Sequence, residues 1–348
     1  MTETTQRQAG ARTTSGSRLP TVVCSSVVRS VHQGESHGGL YLVDLERADT
    51  TQVLDWSEAD IDWEGRGGDR GLRGIAFHDG LVYLAASDEI FIYDRKFERR
   101  GSIRNPYLKH CHEITVSDGH LYIASTGFDS VLEMDLDTQA FTRAWCLRYS
   151  DAWKLRRTLN LRIKPAFREY DPSARGGPDP ADTSHVNNVF VRDGAIYACG
   201  TRLAALWRID GPRLRRYART PFGTHNTRPF RDGVLFNHTK TDRIAYASKE
   251  GRVLRSVDLP TYPADALEHA DLPSDLARPT FGRGLAVLDD GLVVGGSSPA
   301  TVSVYDIEAG RSVRSVTITM DVRNAVHGLE VWPFGVEPRS GSHQSSSP

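Results

Sequence analysis

The stretch HEITVSDGHLYIASTGFDSVLEMDLD, residues 112–137, decides the fold. It opens with a polar residue, continues as an apolar strand pattern, turns at Asp118-Gly119 and resumes with two further strand patterns. Val, Ile, Leu and Tyr favour strands, and an Asp-Gly pair supplies the positive φ angles of a tight hairpin turn. The stretch therefore predicts one antiparallel sheet unit.

The same pattern occurs four more times along the chain. The other copies are RGIAFHDGLVYLAASDEIFIYD (73–94), HVNNVFVRDGAIYACGTRLAALWRID (185–210), HNTRPFRDGVLFNHTKTDRIAYAS (225–248) and RGLAVLDDGLVVGGSSPATVSVYD (283–306). When the further repeat start at His327 is included, three of the five intervals between successive starts are about 40 residues, which is the period of propeller blades. The repeat predicts an all-β chain folded as a six-bladed β-propeller.

The sixth blade is split between the two ends of the chain. HGLEVWP, from His327, gives an innermost strand, and its partners are available near the amino end in TVVCSSVV, GGLYLVDLE and TTQVLDW. Closing the ring with strands from both termini removes the exposed edges that an open array would leave.

The domain organisation follows from these repeats. We expect a single propeller over residues 21–336, with disordered tails at 1–20 and 337–348. Residues 147–184 are an insertion between the second and third repeats, rich in basic and aromatic residues at first and then in Pro and Gly. Such a long loop at the entrance to the channel predicts a lid.

Composition narrows the class of function. The chain has 348 residues, and 43 Lys and Arg against 44 Asp and Glu leave a formal charge of -1. Such a charge predicts no nucleic-acid partner, and no apolar run is long enough to predict a membrane span. The start lacks the apolar core of a signal peptide, and four scattered cysteines indicate reduced thiols, so we expect a cytoplasmic protein of unknown oligomeric state.

The first residues of the six repeats form the candidate site. In a propeller these positions ring the mouth of the central channel, and here they are Arg73, His112, His185, His225, Arg283 and His327. Converging imidazoles suit a divalent transition metal such as Zn, Fe, Mn or Cu, so the four histidines are predicted metal ligands. A three-histidine site with an open fourth position, and metal-free histidines acting as acid and base, are the alternatives.

Other residues near these positions are predicted to bind substrate or assist catalysis. Arg73 and Arg283 keep their charge and suit an anionic group, although pairing with Glu64, Asp69 or Glu330 would make them structural. Glu113 and Glu330 are candidates for proton transfer or for fixing histidine tautomers, and Glu113 could instead point away from the channel. Candidate substrate contacts are Arg228, Asn187, Asn188 and Asn226.

The units beginning RGIA, HGLE and RGLA, each followed by a hairpin, resemble the NHL-type repeat of six-bladed propellers. That group includes a peptide-amidating lyase with histidine-bound zinc, and the chain is also similar to streptogramin lyase, which carries a histidine at its propeller mouth. The phrases HVNN, THNTRPFRDG and GRGLAVLDDGLVVG resemble an uncharacterised bacterial propeller family. Calcium-dependent lactonases of six blades use Glu, Asn and Asp at these positions, and the histidines here argue against that activity.

Together these features predict a metal-dependent enzyme that acts on a small anionic metabolite. A metal would polarise a carbonyl or hydroxyl while a His or Glu moves a proton, which suits a lyase or an isomerase. An Fe(II) oxygenase using the same histidines is one alternative. A non-catalytic propeller that binds a protein or a glycan across its mouth is the other.

Overall fold

A computed structural model describes residues 18–29, 35–57, 71–149, 164–274, 276–289 and 291–335. These residues form six antiparallel sheets, the blades of the propeller, which follow one another around a central channel. The only helical turns among them are two short 3₁₀ segments, Thr126–Phe128 and Ala264–Ala266. The all-β six-bladed prediction is confirmed.

Blades 1 to 3 follow directly in the sequence. Blade 1 contains β4 (Ile75–His78), β5 (Leu81–Ala86), β6 (Glu89–Tyr93) and β7 (Arg99–Arg104). Blade 2 contains β8 (Cys111–Ser117), β9 (His120–Ser125), β10 (Ser130–Asp135), β11 (Ala140–Arg148) and β12 (Ala166–Tyr170). Blade 3 contains β13 (Val186–Arg192), β14 (Ala195–Gly200), β15 (Ala205–Asp210) and β16 (Arg213–Arg219).

Blades 4 to 6 complete the ring. Blade 4 contains β17 (Thr224–Phe230), β18 (Gly233–His238), β19 (Arg243–Ala247) and β20 (Val253–Asp258). Blade 5 contains β21 (Arg283–Val287), β22 (Leu292–Ser297), β23 (Thr301–Asp306) and β24 (Arg311–Thr317). Blade 6 contains β25 (Asn324–Val331), β1 (Thr21–Val28), β2 (Gly39–Asp44) and β3 (Asp49–Asp55).

Blade 6 joins the two ends of the chain, as predicted. Its strand order is β25-β1-β2-β3, with Val22 opposite Val331 and Val28 opposite Asn324. The Ser25 hydroxyl fixes this junction because it accepts the Gly328 N–H at 2.8 Å and donates to the Arg73 carbonyl in blade 1. The antiparallel pairing of β25 with β1 therefore closes the ring.

The hydrophobic core lies between blades. Six clusters of buried side chains form, one for each pair of neighbouring blades. The cluster around Leu40, Leu72 and Phe91 joins blade 6 to blade 1, so the packing continues around the closure. Burial of strand side chains on both faces explains why the repeats are rich in Val, Ile and Leu.

The Asp-Gly turns of blades 1 to 3 have the predicted backbone. Their Asp and Gly residues all have positive φ, for example +50° at Asp118 and +73° at Gly119. In blade 4 the turn lies one residue earlier in the sequence. Arg231 has a φ of +51°, and Gly233 already begins β18. An ideal Cβ on Gly233 would lie 2.1 Å from the Ala247 carbonyl oxygen, so this glycine is required by packing against β19 rather than by the turn.

The insertion differs in part from its predicted form. Its first two residues, 147 and 148, belong to β11, and Ala166–Tyr170 adds β12 as a fifth strand outside β11. The basic and aromatic residues 150–163 lie outside the described residues, as do Glu64, Asp69 and nearly all of both predicted tails. The lid therefore stays a prediction.

Two further observations concern the cysteines and possible membrane-spanning helices. All four cysteines are buried and none is in a disulfide. No helix in the described ranges is long and apolar enough to cross a membrane.

Candidate functional site

Local bulges shape the entrance of the channel. The ladder register shifts by one residue close to the first position of the inner strand in blades 2, 3, 4, 5 and 6. A bulge bends the strand and re-aims a side chain. Three residues at these bulges have positive φ, His185 (+53°), Asn226 (+50°) and Gly284 (+69°).

Three of the four predicted histidines come together. The His112 ring centroid lies 5.4 Å from that of His185 and 5.2 Å from that of His327. These rings come from blades 2, 3 and 6, so ring closure joins residues more than two hundred positions apart in sequence. We call His112, His185 and His327 the histidine group.

The tautomer of His112 is fixed by its neighbours. Its Nδ1 lies 2.8 Å from the His110 carbonyl oxygen and 2.7 Å from the Thr126 hydroxyl. Because the Thr126 hydroxyl donates its own proton to the Val186 carbonyl at 2.7 Å, Nδ1 must carry the hydrogen. The lone pair of His112 is therefore on Nε2.

A carboxylate orients His185 in the same way. Its Nδ1 lies 3.0 Å from both carboxylate oxygens of Asp182, which leaves Nε2 as the available atom. Oxygen acceptors on the far ring nitrogen are typical of histidines that bind metal ions. Sequence reasoning expected Glu113 or Glu330 in this role, whereas His110, Thr126 and Asp182 occupy it.

The ring nitrogens do not converge fully. Among the described residues, one group of three potential ligands has all its ligand atoms within 4.8 Å of one another, and it is Glu268, His269 and Asp321, none of which is a predicted ligand. No three of the four predicted histidines meet that limit. The donor set fits a transition metal in chemistry, but at least one imidazole must rotate to complete a three-nitrogen site.

Although the charges of His185 and His327 act on His225, no ring contact joins it to the histidine group among the described residues, and it lies next to Phe281. The two ring centroids are 6.1 Å apart, and the guanidinium carbons of Arg278 and Arg283 each lie 4.9 Å from the Phe281 ring. Arg29 approaches the same ring at 5.5 Å. Both ring nitrogens of His225 are buried and have no hydrogen-bond partner among the described residues.

Burial and positive charge keep two of these imidazoles neutral. Desolvation holds the pKa of His112 well below its usual value, and the nearby Arg73 guanidinium adds to this effect. The pKa of His225 is lowered in the same way by burial and then by Arg283. Neutral imidazoles keep the lone pair that a metal ion or a proton requires.

The two arginines of the ring lie near His112. Arg73 is buried, and its Nη1 donates to the Cys111 carbonyl at 3.3 Å. Arg283 is also buried and stacks on Phe281. Both influence the pKa of His112, so both guanidinium charges act on the histidine group.

Glu113 points into the channel and binds across it. Its Oε1 accepts a hydrogen bond of 2.8 Å from the Asn226 amide, which belongs to blade 4. Burial, followed by repulsion from Glu330, raises the pKa of Glu113 to about 7. The Glu113 side chain therefore does not point away from the channel, which was the alternative.

The three predicted asparagines differ in their surroundings. Asn226 accepts from the Gly284 N–H at 3.0 Å and from the Asn237 amide at 3.1 Å, and Asn188 donates to the Thr227 carbonyl at 2.6 Å. These bonds tie blades 3, 4 and 5 together. Both amide atoms of Asn187 are buried and have no partner among the described residues, which leaves Asn187 able to bind a ligand.

Arg228 and Glu330 lie further along the channel than the ring positions. Each follows the first residue of its repeat by three positions, about 10 Å along a strand. Both line a cavity of about 380 Å³ at the far opening. The structure thus places these two predicted residues in a cavity whose lining does not include the histidine group.

Sequence reasoning missed Phe281 and the acceptors of the histidine group. Phe281 precedes Arg283 by two residues, and its aromatic character was the available signal. Asp182 lies three residues before His185 in the insertion. This spacing alone does not predict a contact between the two side chains, because the contact depends on the positive φ of His185.

Comparison with known proteins supports the fold alone. No protein-family model matches the sequence, and no curated protein matches it. Among solved structures, a protein of unknown function from Bacteroides caccae matches with a TM-score of 0.53 and 10% identity, covering 89% of this chain and 98% of that one. A structure of a nidogen/laminin complex matches with a TM-score of 0.50 and 11% identity, covering 89% and 97%. By its strand order and by these likenesses, the chain is a six-bladed β-propeller.

Proposed function

We propose that this propeller is a metal-dependent enzyme that acts on a small anionic metabolite, by lyase or isomerase chemistry, where its inner strands begin. One observation carries the proposal. His112 and His185 each have Nδ1 held by an oxygen acceptor, and their rings are 5.4 Å apart. This is the arrangement expected of two imidazoles that offer Nε2 to one ion.

His112 and His185 would hold the metal, with His327 as the third ligand. His327 lies 5.2 Å from His112 between ring centroids, whereas His225 contacts Phe281 instead. Zn and Fe suit imidazole donors, and Mn is the third candidate metal of the proposal. When bound, such a metal supplies a Lewis acid for a carbonyl or hydroxyl oxygen.

Arg73 and Arg283 would bind the anionic group of the substrate. A guanidinium presents a planar fork that matches a carboxylate or a phosphate. Both arginines lie close enough to depress the pKa of His112, which places their charge beside the proposed reaction centre. Asn187, buried with both amide atoms unpartnered, would orient a substrate hydroxyl or carbonyl.

Glu113 would move the proton. Proton transfer is most effective when the pKa of the group lies near the working pH, and burial raises the pKa of Glu113 to about 7. The 2.8 Å hydrogen bond from Asn226 holds one carboxylate oxygen and leaves the other for the substrate.

The finer family assignment is part of this proposal. We infer that the blades are of the NHL type and that the chain belongs with the streptogramin-lyase-like propellers, on the basis of the RGIA, RGLA and HGLE phrases. Four buried cysteines without a disulfide support a reducing compartment such as the cytoplasm.

Metal analysis of the purified full chain tests the proposal. We expect about one equivalent of Zn, Fe or Mn by elemental analysis, and we expect its loss in the H112A and H185A variants. H120A is the matched control, since His120 lies in the same blade at the start of β9. Protein that stays free of metal after growth and titration with all three ions would overturn the proposal and favour a non-catalytic binder.

Activity is then measured on a panel of small hydroxy- and oxo-carboxylates and sugar phosphates by proton NMR. A lyase or isomerase should convert one of them in the absence of oxygen, and R73M should raise the KM for that compound. Turnover that requires oxygen and iron would instead indicate the Fe(II) oxygenase alternative.

A further inference from the structure

The far opening of the channel contains a second cavity that the histidine group does not reach. Its volume is about 380 Å³, near the lower end of the range of roughly 300–1,000 Å³ for small-molecule sites. Its lining comes from the later parts of β13, β17, β21 and β25 and the residue after β17. The cavity is therefore of a size to hold one small metabolite.

Two opposite charges in this cavity are not joined to each other. Arg228 is 8% exposed, and its Nε has no hydrogen-bond partner among the described residues. Glu330, on β25 of blade 6, also lines the cavity. Within the described part of the chain, no hydrogen bond or ion pair joins either charged group to any side chain.

The other two charged residues of the lining are arginines that each have an acidic residue beside them. Arg231 forms an ion pair with Glu308 and stacks on Phe230 at 5.0 Å. Arg192 lies 3.5 Å from the Asp193 carboxylate. Arg228 and Glu330 are therefore the two charged groups of the lining that have no ion-pair partner among the described residues.

The contact between Arg228 and Phe190 leaves the binding edge of the guanidinium accessible. The Arg228 guanidinium carbon lies 4.9 Å from the centre of the Phe190 ring. Stacking occupies the flat face of a guanidinium, whereas a carboxylate binds along its N–H edge. Phe190 therefore orients Arg228 without neutralising it.

A ligand of one charge only would meet repulsion here. An anion on Arg228 would face Glu330, and a cation on Glu330 would face Arg228. A zwitterion satisfies both groups at once, because each of its charges meets the opposite charge. A phosphate dianion is disfavoured for the same reason as other anions.

The rest of the wall is apolar. Six of the lining residues are apolar, and they surround the charged pair: Phe190, Pro229, Phe230, Ala286, Val287 and Val331. An apolar wall of this kind favours an aliphatic or aromatic group on the ligand.

We propose that this cavity binds a free α-amino acid with an apolar side chain, with its carboxylate on Arg228 and its ammonium group on Glu330. The side chain of the ligand packs against Phe190, Phe230 and the two valines. None of the lining residues of this cavity belongs to the histidine group, so the proposal does not rest on the metal-dependent activity proposed above.

Calorimetric titration of the full chain with L-leucine and L-phenylalanine tests this proposal. We expect saturable binding of at least one of them at one site per chain. The deaminated analogue 4-methylpentanoate and the decarboxylated analogue 3-methylbutylamine should each bind at least tenfold more weakly than L-leucine, because each lacks one charge.

Variants locate the site. R228M and E330Q should each weaken amino-acid binding by about tenfold to a hundredfold, the usual effect of losing a charged hydrogen bond. V287W fills the cavity without changing a charge and should abolish binding, which covers the case in which R228M does not fold. R215M, at an exposed arginine that pairs with Asp210 outside the cavity lining, and H185A, in the histidine group, should bind as the unmodified chain does.

Three results would overturn the proposal. They are the absence of binding by the unmodified chain, equal binding of 4-methylpentanoate and L-leucine, and unchanged binding in V287W. Because H185A tests the metal without touching this cavity, failure here is distinguishable from failure of the proposed enzyme.

Discussion

Replacing Glu113 with Gln should make the stability of the propeller less dependent on pH. Burial and the nearby Glu330 raise the pKa of Glu113 from 4.5 to about 7. The folded chain therefore holds a proton that the unfolded chain releases. This contribution to stability is complete below about pH 4.5 and is lost as the pH rises through 7.

The expected magnitude follows from the two pKa values. Between pH 5 and pH 8 the unmodified chain should lose about 2.5 kcal/mol of unfolding free energy through Glu113 alone. The glutamine of E113Q does not titrate, and its carbonyl oxygen can still accept the Asn226 hydrogen bond. E113Q should therefore gain about 2.5 kcal/mol relative to the unmodified chain over this pH range.

Urea unfolding at pH 5 and pH 8, in the presence of a metal chelator, measures the difference. With an m-value of roughly 3 kcal/mol/M, the unfolding midpoint of E113Q should move by about 0.8 M relative to that of the unmodified chain. E169Q, the same change at an exposed carboxylate of β12, is the control and should follow the unmodified chain. Parallel midpoints for E113Q and the unmodified chain at both pH values would refute the reasoning.

Three other substitutions test the contacts that build the site. D182N removes the charge that orients His185 and should weaken zinc binding about 10–100-fold in a chelator competition; unchanged affinity in a folded variant would contradict the assigned role. N226A leaves Glu113 and the Gly284 N–H buried without a partner and should lower the unfolding free energy by about 3–5 kcal/mol, whereas a loss below about 1 kcal/mol would argue against the cross-channel bond. G328A places a Cβ 2.0 Å from the Arg73 carbonyl oxygen and should cost about 3 kcal/mol in the same assay, while G335A, with open space around it, should cost nothing measurable.

The repeat pattern was sufficient to predict the propeller and its closure. Alternating apolar residues around Asp-Gly pairs specify hairpins locally, and the split sixth repeat leaves β25 and β1 as the only complementary edges. Because the ring positions are equivalent in all repeats, their convergence on the channel followed from symmetry. The ring centroids of His185 and His327 lie 5.4 Å and 5.2 Å from that of His112, which is consistent with this convergence.

Details that depend on local backbone irregularity could not be predicted. The bulges beside the ring positions have no signature in the repeat, and they place Asn226 against Glu113 instead of leaving it free for substrate. The turn in blade 4 shifts because Gly233 is needed for close packing on β19, although its sequence matches the other Asp-Gly pairs.

The sequence also did not predict how far along the channel each side chain lies. Arg228 and Glu330 were grouped with the ring because they are near His225 and His327 in sequence. A β-strand advances about 3.3 Å per residue, so three residues are enough to move a side chain into a different cavity. A strand spaces its residues farther apart along its axis than a helix does. Residues that are close in the sequence of a strand therefore need not belong to the same site.

Anomalous diffraction from crystals of the full chain grown with zinc tests the central claim most directly. The account predicts one strong peak in the channel, within bonding distance of the Nε2 atoms of His112 and His185, and no peak there in H185A crystals. Absence of that peak in the unmodified chain, or a single peak at Glu268, His269 and Asp321 instead, would contradict a metal centre in the channel.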